Sequence, residues 1–383
     1  MDKEIMVDTG SRGYIRALGG MVFLVMVALS LTGCSSGGGG GGGSGSGDAA
    51  DTTSSSAGGC TLTAEQLEAI DNVNDLPPEC LLQLPVPEDN LSGRIFILGT
   101  QVDQASGDLR IFAHGIDGDG NPLRLDDFLT ATILIDGNPA DNNLWRVEPV
   151  AAGDDVLSLG FIADYSISIS NAELDAISGV YSLIVDSLTP PNLPQIMEGE
   201  VINFSSKVEL KQDWTEDAAL LHAAYQRDNS LVQERTALYD ALGFSLQRDL
   251  ALDNDGLVER CRPAHMLVVF TDGANNASFK YTKDTLLPII NNSKTVMIML
   301  GGLHADKDEL VELSGDQGAF IYAYNLDNIE KKVRDWAGSL SHMVKFIMDP
   351  ATGFDAGISI KLGDETIVVE RPVDGFCESP PVI

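Results

Sequence analysis

The chain has 383 residues, of which 44% are hydrophobic, and it carries 24 basic against 57 acidic side chains. This length and apolar content predict one large globular domain with smaller attachments. The formal charge of -33 disfavours binding to nucleic acid and to anionic lipid headgroups, because an acidic surface repels both. We interpret the acidity as a solvated surface that keeps an exported protein soluble, rather than as a bank of calcium sites.

Residues 1–33 are predicted to form a bacterial export signal. Arg12 and Arg16 precede an apolar run from Ala17 to Leu31. This run is short for a membrane span and is interrupted by glycine, which favours a cleaved signal over a transmembrane helix.

The signal ends in Leu31-Thr32-Gly33-Cys34, which resembles the lipobox of bacterial lipoproteins. The resemblance implies that Cys34 is lipidated and becomes the new N-terminus, so that its acyl chains hold the protein on a bilayer. Ser35 in the next position implies the outer membrane. The alternative is a retained short anchor with an ordinary buried cysteine. Residues 34–59, nearly all Gly, Ser, Ala, Thr and Asp, are predicted to be a tether that does not fold.

Four more cysteines follow the tether, at Cys60, Cys80, Cys261 and Cys377. An even number of cysteines in an exported chain favours two disulfides. The sequence does not fix their connectivity. We favour Cys60 with Cys80, which brackets a short predicted helix within the segment 60–92, and Cys261 with Cys377 by elimination. Free buried thiols are the alternative.

Residues 93–150 are predicted to form a β-rich domain. Short runs separated by Gly, Asn and Asp indicate antiparallel strands at Ile95–Leu98, Leu109–His114, Ala131–Ile135 and Leu144–Val150. The stretch Asp117-Gly-Asp-Gly-Asn-Pro122 has some features of a calcium loop. Because its sixth position is Pro122 and its twelfth is Phe128, we predict a hairpin turn instead.

Between residues 151 and 342, strands alternate with helices. The strands are predicted at Val156–Ile162, Glu200–Phe204, Met266–Phe270, Thr295–Leu300 and Ala319–Tyr324. The helices are predicted at Glu173–Leu188, Glu216–Ala224, Ala237–Leu246, Thr282–Ile290, Asp306–Leu313 and Leu326–Leu340. This alternation predicts an α/β domain with a doubly wound, mostly parallel sheet covered by helices on both faces. Such sheets bind ligands beyond the carboxyl ends of their strands.

The segment 343–383 again has β patterns, at Met343–Met348, Gly357–Leu362 and Thr366–Val369. Two arrangements are open. These strands join 93–150 in one discontinuous β domain, with the α/β domain inserted between its halves, or they form a hairpin that packs on the α/β domain itself.

Three loops of the α/β domain carry oxygen-bearing side chains. Asp164, Ser166 and Ser168 follow the first strand, Thr236 lies in the second loop, and Asp272 follows another buried strand. Taken singly, these residues are typical of helix caps and turns. Taken together, they predict an all-oxygen metal site without sulfur or imidazole, which suits Mg²⁺ and leaves Mn²⁺ and Ca²⁺ open.

The order of these residues, Asp-x-Ser-x-Ser, then Thr, then Asp within Thr-Asp-Gly, resembles the metal-ion-dependent adhesion site (MIDAS) of von Willebrand factor type A (VWA) domains. The resemblance extends to residues 201–208 and 310–336 and covers about half of the chain. Ile169 stands where bacterial members commonly have Met. The resemblance implies a binding module in which the three hydroxyls bind the metal directly when a ligand is engaged. The carboxylates then act largely through water, and an acidic side chain of a protein partner completes the coordination.

These observations predict a lipid-anchored lipoprotein of the outer membrane, on either face, that binds protein partners in adhesion or assembly and is not an enzyme. Two alternatives are a metal-dependent hydrolase and an envelope-structural factor in which the metal only stabilises the fold. The sequence has no His-Glu-x-x-His, no Gly-x-Ser-x-Gly and no glycine-rich phosphate loop. Five scattered histidines are interpreted as ordinary surface or core residues: His114, His222, His265, His304 and His342. The oligomeric state and the partner are left open.

Overall fold

The computed structural model of the chain describes the residues 88–103, 106–151, 157–188, 197–226, 232–251, 264–273, 275–293, 295–302, 305–322, 326–349, 358–363 and 365–369. The predicted export signal, Cys34, the tether, the helix predicted within 60–92 and the other four cysteines lie outside these residues. The predictions made for them therefore stay predictions.

The described strands are β1 (Glu88–Asp89), β2 (Arg94–Val102), β3 (Leu109–Ile116), β4 (Thr132–Ile135), β5 (Asn138–Pro139), β6 (Trp145–Pro149), β7 (Leu157–Asp164), β8 (Met197–Phe204), β9 (Val208–Thr215), β10 (Ala264–Phe270), β11 (Thr295–Gly301), β12 (Ala319–Tyr322), β13 (Val344–Met348), β14 (Ile358–Leu362) and β15 (Glu365–Val369). The described helices are α1 (Leu125–Phe128), α2 (Asn171–Leu188), α3 (Ala218–Ala224), α4 (Leu238–Ala251), α5 (Lys283–Asn292), α6 (Lys307–Ser314) and α7 (Leu326–Leu340).

The α/β domain is built on a sheet with the strand order β9-β8-β7-β10-β11-β12-β1. Strands β8, β7, β10, β11 and β12 are parallel, and β9 and β1 pair with their neighbours in the antiparallel sense. Helices α2, α3 and α7 contribute to the core on one face, and α4, α5 and α6 to the core on the other. The fold is therefore the doubly wound, mostly parallel α/β arrangement that the alternation of strands and helices predicted.

Strand β7 lies in the middle of this sheet, and every residue of its sequence, Leu-Ser-Leu-Gly-Phe-Ile-Ala-Asp, is buried. Strands covered by helices on both faces need such continuous apolar runs. Gly160 leaves room for Leu267 on the neighbouring strand β10, because a Cβ there would lie 2.4 Å from Leu267 Cδ2 and the leucine side chain would have to shift. Close packing of β7 against β10 fixes the relative height of the loops that follow both strands.

The remaining strands form β structure from two distant parts of the chain. Strand β13 lies between β3 and β6, and β14 pairs with β4 in a second sheet of the order β15-β14-β4-β5. A third apolar core includes Phe128, Val147, Phe346 and Ile360, contributed by both parts. Strands from before and after the α/β domain therefore share their sheets.

This β structure continues the α/β sheet through the pairing of β2 with the start of β10. Gly99 of β2 pairs with Ala264, the first residue of β10. The carboxyl end of β10, where ligands would bind, lies at the opposite end of that strand. The sequence 117–122 is a turn, as predicted, because Ile116 and Pro122 form an antiparallel bridge across it and Asp117 Oδ1 accepts hydrogen bonds from the backbone of Asp119 and Asn121.

Several bounds differ from the predicted ones for physical reasons. Strand β7 continues two residues beyond the predicted Ile162, to Asp164, so this carboxylate forms the end of the strand. Helix α3 begins at Ala218 because Asp217 caps it, accepting a hydrogen bond from the backbone of Ala219 at 2.9 Å. Strand β9 and the four-residue helix α1 were not predicted. Within the described part of the chain, none of the helices combines the length and apolar character needed to cross a membrane.

Candidate metal centre

The candidate site begins where two neighbouring parallel strands end. Strand β7 ends at Asp164, and Thr271 and Asp272 directly follow β10. Because Ala163 pairs with Phe270, these residues emerge side by side. Thr271 Oγ1 donates a hydrogen bond of 2.9 Å to Asp164 Oδ2. The two loops that carry the predicted aspartates therefore start from a common, buried platform.

The first loop brings its two serines onto this platform. The backbone N–H of Ser166 donates to Asp164 Oδ1 at 2.8 Å, and the hydroxyls of Ser166 and Ser168 lie 2.9 Å apart. Ser168 Oγ in turn donates a hydrogen bond to Asp272 Oδ2. Asp164, Ser166 and Asp272 are buried, whereas Ser168 is exposed. Direct contacts thus link four of the five predicted site residues, and the cluster opens to solvent at Ser168.

The fifth predicted residue, Thr236, is brought to the site through backbone contacts. Gln233 donates its N–H to the carbonyl of Tyr165 and accepts from the N–H of Ile167 at 2.8 Å, so the second loop runs beside the first. Asn276, in the third loop, accepts from Thr236 N–H at 2.8 Å through Oδ1 and donates its own N–H to the Thr236 carbonyl. Thr236 is buried between the first and third loops.

Asp272 sits in a tight turn that only glycine completes easily. Gly273 has a φ of +79°, in the left-handed region that favours glycine, and its N–H donates to Thr271 Oγ1 at 3.0 Å. The carbonyl of Asp272 accepts a hydrogen bond from Asp306 N–H at 2.9 Å. The Thr-Asp-Gly sequence is therefore a turn that points the Asp272 carboxylate towards Ser168.

The third loop is held by a carboxylate that sequence reasoning did not single out. Asp240, in the first turn of α4, accepts hydrogen bonds from the backbone N–H groups of Phe279, Lys280 and Tyr281, each at 2.9 Å. Ser278 Oγ accepts from Asp240 N–H at 3.0 Å. These bonds, with those of Asn276, lock the loop after β10 to the start of α4. Such contacts join residues far apart in the chain and leave no spacing pattern in the sequence.

The two carboxylates of the site repel each other in a poorly solvated place. Burial, and to a smaller extent the charge of Asp272, together raise the pKa of Asp164 from 3.8 to about 7. Hydrogen bonds from Ser166 and Thr271 act in the opposite direction. A divalent cation between the two loops would offset this repulsion.

The donor set fits a hard divalent cation. Its members are two carboxylates and the hydroxyls of Ser166 and Ser168, with Thr236 beside them, and oxygen ligands of this kind suit Mg²⁺, Mn²⁺ or Ca²⁺. No group of three or more His, Cys, Asp or Glu side chains placed to hold a metal occurs among the described residues. The role of the five residues as metal ligands stays a prediction.

Of the five histidines, His114 is an ordinary core residue, as predicted. Its ring stacks on Phe96 with 4.9 Å between centroids, and Nδ1 lies 3.0 Å from Ser339 Oγ. Burial lowers the pKa of His114 to about 3, which keeps the ring neutral. His222 pairs with Asp186 at 3.0 Å, and His304 lies outside the described residues.

Several solved structures share part of this architecture. Proximal thread matrix protein 1 (PTMP1) from the mussel byssus matches with a TM-score of 0.39 and 17% identity over 51% of this chain and 49% of that protein. The same protein with a zinc-occupied MIDAS motif matches with a TM-score of 0.40 and 18% identity over 52% of this chain and 49% of that one. BatB from Bacteroides thetaiotaomicron matches with a TM-score of 0.36 and 13% identity over 48% of this chain and 98% of BatB.

The matched region spans about half the length of PTMP1. No protein-family model matches the sequence, and no curated protein is significantly similar to it. Similarities with these identities and TM-scores establish neither a family nor a function. The fold is instead defined by the strand order and by the helices on both faces of the sheet, which are those of a doubly wound, mostly parallel α/β domain.

Proposed function

We propose that this protein binds protein partners through a divalent metal ion held by Asp164, Ser166, Ser168, Thr236 and Asp272, in an adhesion or assembly role. The observation that supports this most is the contact of Ser168 with both Ser166 and Asp272 at an exposed position. A cation held there, Mg²⁺ in the first place, would offer a coordination position to an acidic side chain of a partner.

The chemistry of the site favours binding over turnover. Hydroxyl ligands are neutral, so a divalent cation held by three hydroxyls and the carboxylates of Asp164 and Asp272 would keep an affinity for a further anionic oxygen. The metal-dependent hydrolase and the purely stabilising metal are alternatives that the test below separates from partner binding.

The proposal includes attachment to the outer membrane through acyl chains on Cys34. It rests on the sequence 31–35, which lies outside the described residues. Cell fractionation of Cys34→Ser tests it, since the variant would leave the outer-membrane fraction if the acyl chains are the anchor.

The proposed function is tested by capture from an envelope extract. We expect the immobilised full chain to retain partner proteins in buffer with Mg²⁺ and to release them with a chelator. Restored capture after Mg²⁺ is added back would serve as the control for damage to the protein. Retention that the chelator does not change would contradict metal-mediated binding. Loss of the folded state in chelator, with no capture in Mg²⁺, would favour a stabilising metal, and metal-dependent hydrolysis of a captured protein would favour the hydrolase.

Metal affinity is expected to depend on pH. A cation binds the ionised form of Asp164, whose pKa in the metal-free protein is raised from 3.8 to about 7, so binding below pH 7 must displace a proton. Affinity for Mg²⁺ should fall about tenfold per pH unit below 7 and be flat above it.

The same raised pKa has a consequence for metal-free stability. Protonation of Asp164 favours the fold, so its contribution is fully present below the unfolded pKa and is lost as the pH rises through 7.

The pH dependence of Mg²⁺ binding is measured by calorimetry in two buffers with different ionisation heats, which gives both the Mg²⁺ affinity and the number of protons released. A constant affinity from about pH 6 to 8 would show that Asp164 is not linked to binding.

A further inference from the structure

Large apolar side chains are exposed at five positions among the described residues: Leu129, Ile167, Leu220, Phe279 and Val311. Single exposed apolar residues are common on protein surfaces and carry no meaning by themselves. Two of these five, however, lie in the loops of the candidate metal centre. Ile167 is 66% exposed and Phe279 is 95% exposed.

Ile167 stands between Ser166 and Ser168 in the first loop. Its N–H donates to the carbonyl of Gln233 at 2.8 Å, and the N–H of Ile169 donates to the carbonyl of Ser166 at 3.1 Å, so the backbone is held on both sides of Ile167. An apolar side chain is thus presented to solvent within one residue of two predicted metal ligands.

Phe279 lies in the third loop and is also held by its backbone. Its N–H donates to Asp240 Oδ2 at 2.9 Å, and Ala277, two residues before it, donates its N–H to the carbonyl of Thr236. These bonds keep the loop beside the predicted ligand Thr236. Because the backbone of Phe279 is already ordered, binding a partner through its ring would cost little backbone entropy. Exposed aromatic side chains of this kind are typical of the residues that dominate the energetics of protein interfaces.

The same surface carries exposed basic residues. Arg235 directly precedes Thr236, and Lys207 lies in the turn after β8. This turn is next to the site, because the carbonyl of Ser205 accepts the N–H of Ala237 at 2.6 Å. The exposed Glu234 beside Arg235 offsets part of this positive charge. In a chain with 24 basic and 57 acidic residues, the two basic groups still attract an acidic partner segment to this part of the surface.

We propose that the partner segment pairs an acidic side chain with an apolar one close by in its sequence, the first for the metal and the second for Ile167 and Phe279. The proposal rests on the proposed function, because the metal must hold the acidic group. The acidic and apolar side chains must be close together in the partner's sequence because Ile167 is adjacent to two predicted metal ligands. Neighbouring residues of an extended peptide are only about 3.3 Å apart along the chain. Ile167 and Phe279 are thereby specificity-determining residues.

The test uses short random peptides displayed on phage. The full chain is immobilised in Mg²⁺, and bound phage are eluted with a chelator. We expect the eluted peptides to carry Asp or Glu with Leu, Ile, Val or Phe within about two positions, the spacing at which side chains of an extended peptide reach one surface. One such synthetic peptide is then titrated against wild type, Ile167→Ser, Phe279→Ser and the control Leu129→Ser, whose apolar side chain is exposed in the β structure.

We expect each of the two loop variants to weaken peptide binding about tenfold, Leu129→Ser to leave it unchanged, and all proteins to bind Mg²⁺ alone equally. Selected peptides that are acidic without apolar neighbours, or loop variants that bind like the control, would overturn this inference while the proposed function stands. If Mg²⁺ does not bind, or if the chelator elutes no peptides, the proposed function fails and this inference fails with it.

Discussion

Replacing Asp272 with alanine or asparagine is expected to lower the affinity for Mg²⁺ about 100-fold while the protein stays folded. Asp272 is one of the two carboxylates that line the candidate metal centre, and it accepts the hydrogen bond of Ser168. Asparagine keeps the size of the side chain and an oxygen for Ser168, so Asp272→Asn isolates the loss of charge. Isothermal calorimetry with Mg²⁺ and Mn²⁺ measures the affinity.

Without metal, the same variants are not expected to lose stability. Because the charge of Asp272 raises the pKa of Asp164, its removal relieves a repulsion. In chelator, Asp272→Asn should therefore be at least as stable to thermal unfolding as wild type. Equal Mg²⁺ affinity in wild type and both variants would remove the site. A variant that is unfolded in chelator would show that Asp272 serves the fold instead. Thr236→Ala is the companion change, expected to weaken partner capture more than metal affinity.

A second large effect is expected far from the metal centre, at Arg248 in α4. Its Nε donates a hydrogen bond of 2.9 Å to Glu200, a fully buried residue at the middle of β8, and its guanidinium also pairs with Asp213. Removing the basic partner of a buried carboxylate leaves a charge that water reaches poorly. We expect Arg248→Met to lower the free energy of unfolding by about 3 kcal/mol, the lower end for such pairs, because 26% of the Arg248 side chain is exposed.

Urea unfolding of matched variants measures this effect. Arg248→Lys keeps the charge but loses the planar fork, so it should cost less than Arg248→Met. Glu200→Gln combined with Arg248→Met removes the buried charge, and Ser245 Oγ, now 2.8 Å from Glu200 Oε1, keeps a partner. The double variant should be more stable than Arg248→Met alone. Equal stability of wild type and Arg248→Met would mean that Glu200 does not depend on this ion pair. Mg²⁺ affinity should be unchanged in every one of these variants.

The strands of the α/β domain were predictable because burial leaves a clear pattern. Strands β7 and β10 are covered on both faces and appear in the sequence as unbroken apolar runs. Strand β9 has no such pattern. It pairs only with β8 among the described strands, and in Val208–Thr215 only Trp214 is buried, so polar residues fill most of its positions.

Part of the candidate site was also predictable from the sequence, and part was not. Asp164, Ser166, Ser168 and Asp272 follow predictable strands at short spacings, and the structure brings them into contact. Asn276 was not predicted, since its role depends on the return of the chain to Thr236 after a whole helix and strand. Contacts of this type depend on where the loops lie in the folded sheet. A side chain that bonds to a backbone group places no requirement on the type of residue that carries this group, so the pair leaves no pattern in the sequence.

The position of β13 constrains the order in which the molecule can fold. Ile111 of β3 pairs with Phe346 of β13, and the whole α/β domain lies between them in the chain. Until β13 has been synthesised, β2 and β3 have as described strand neighbours only each other and, through the single pair Gly99–Ala264, the start of β10. A two-stranded hairpin with so little support is marginally stable in water. Pairings between such distant residues form slowly, because a long loop must close first. The β structure should therefore be completed late, after the α/β domain, and its strand edges, unpaired until then, expose the newly synthesised chain to aggregation.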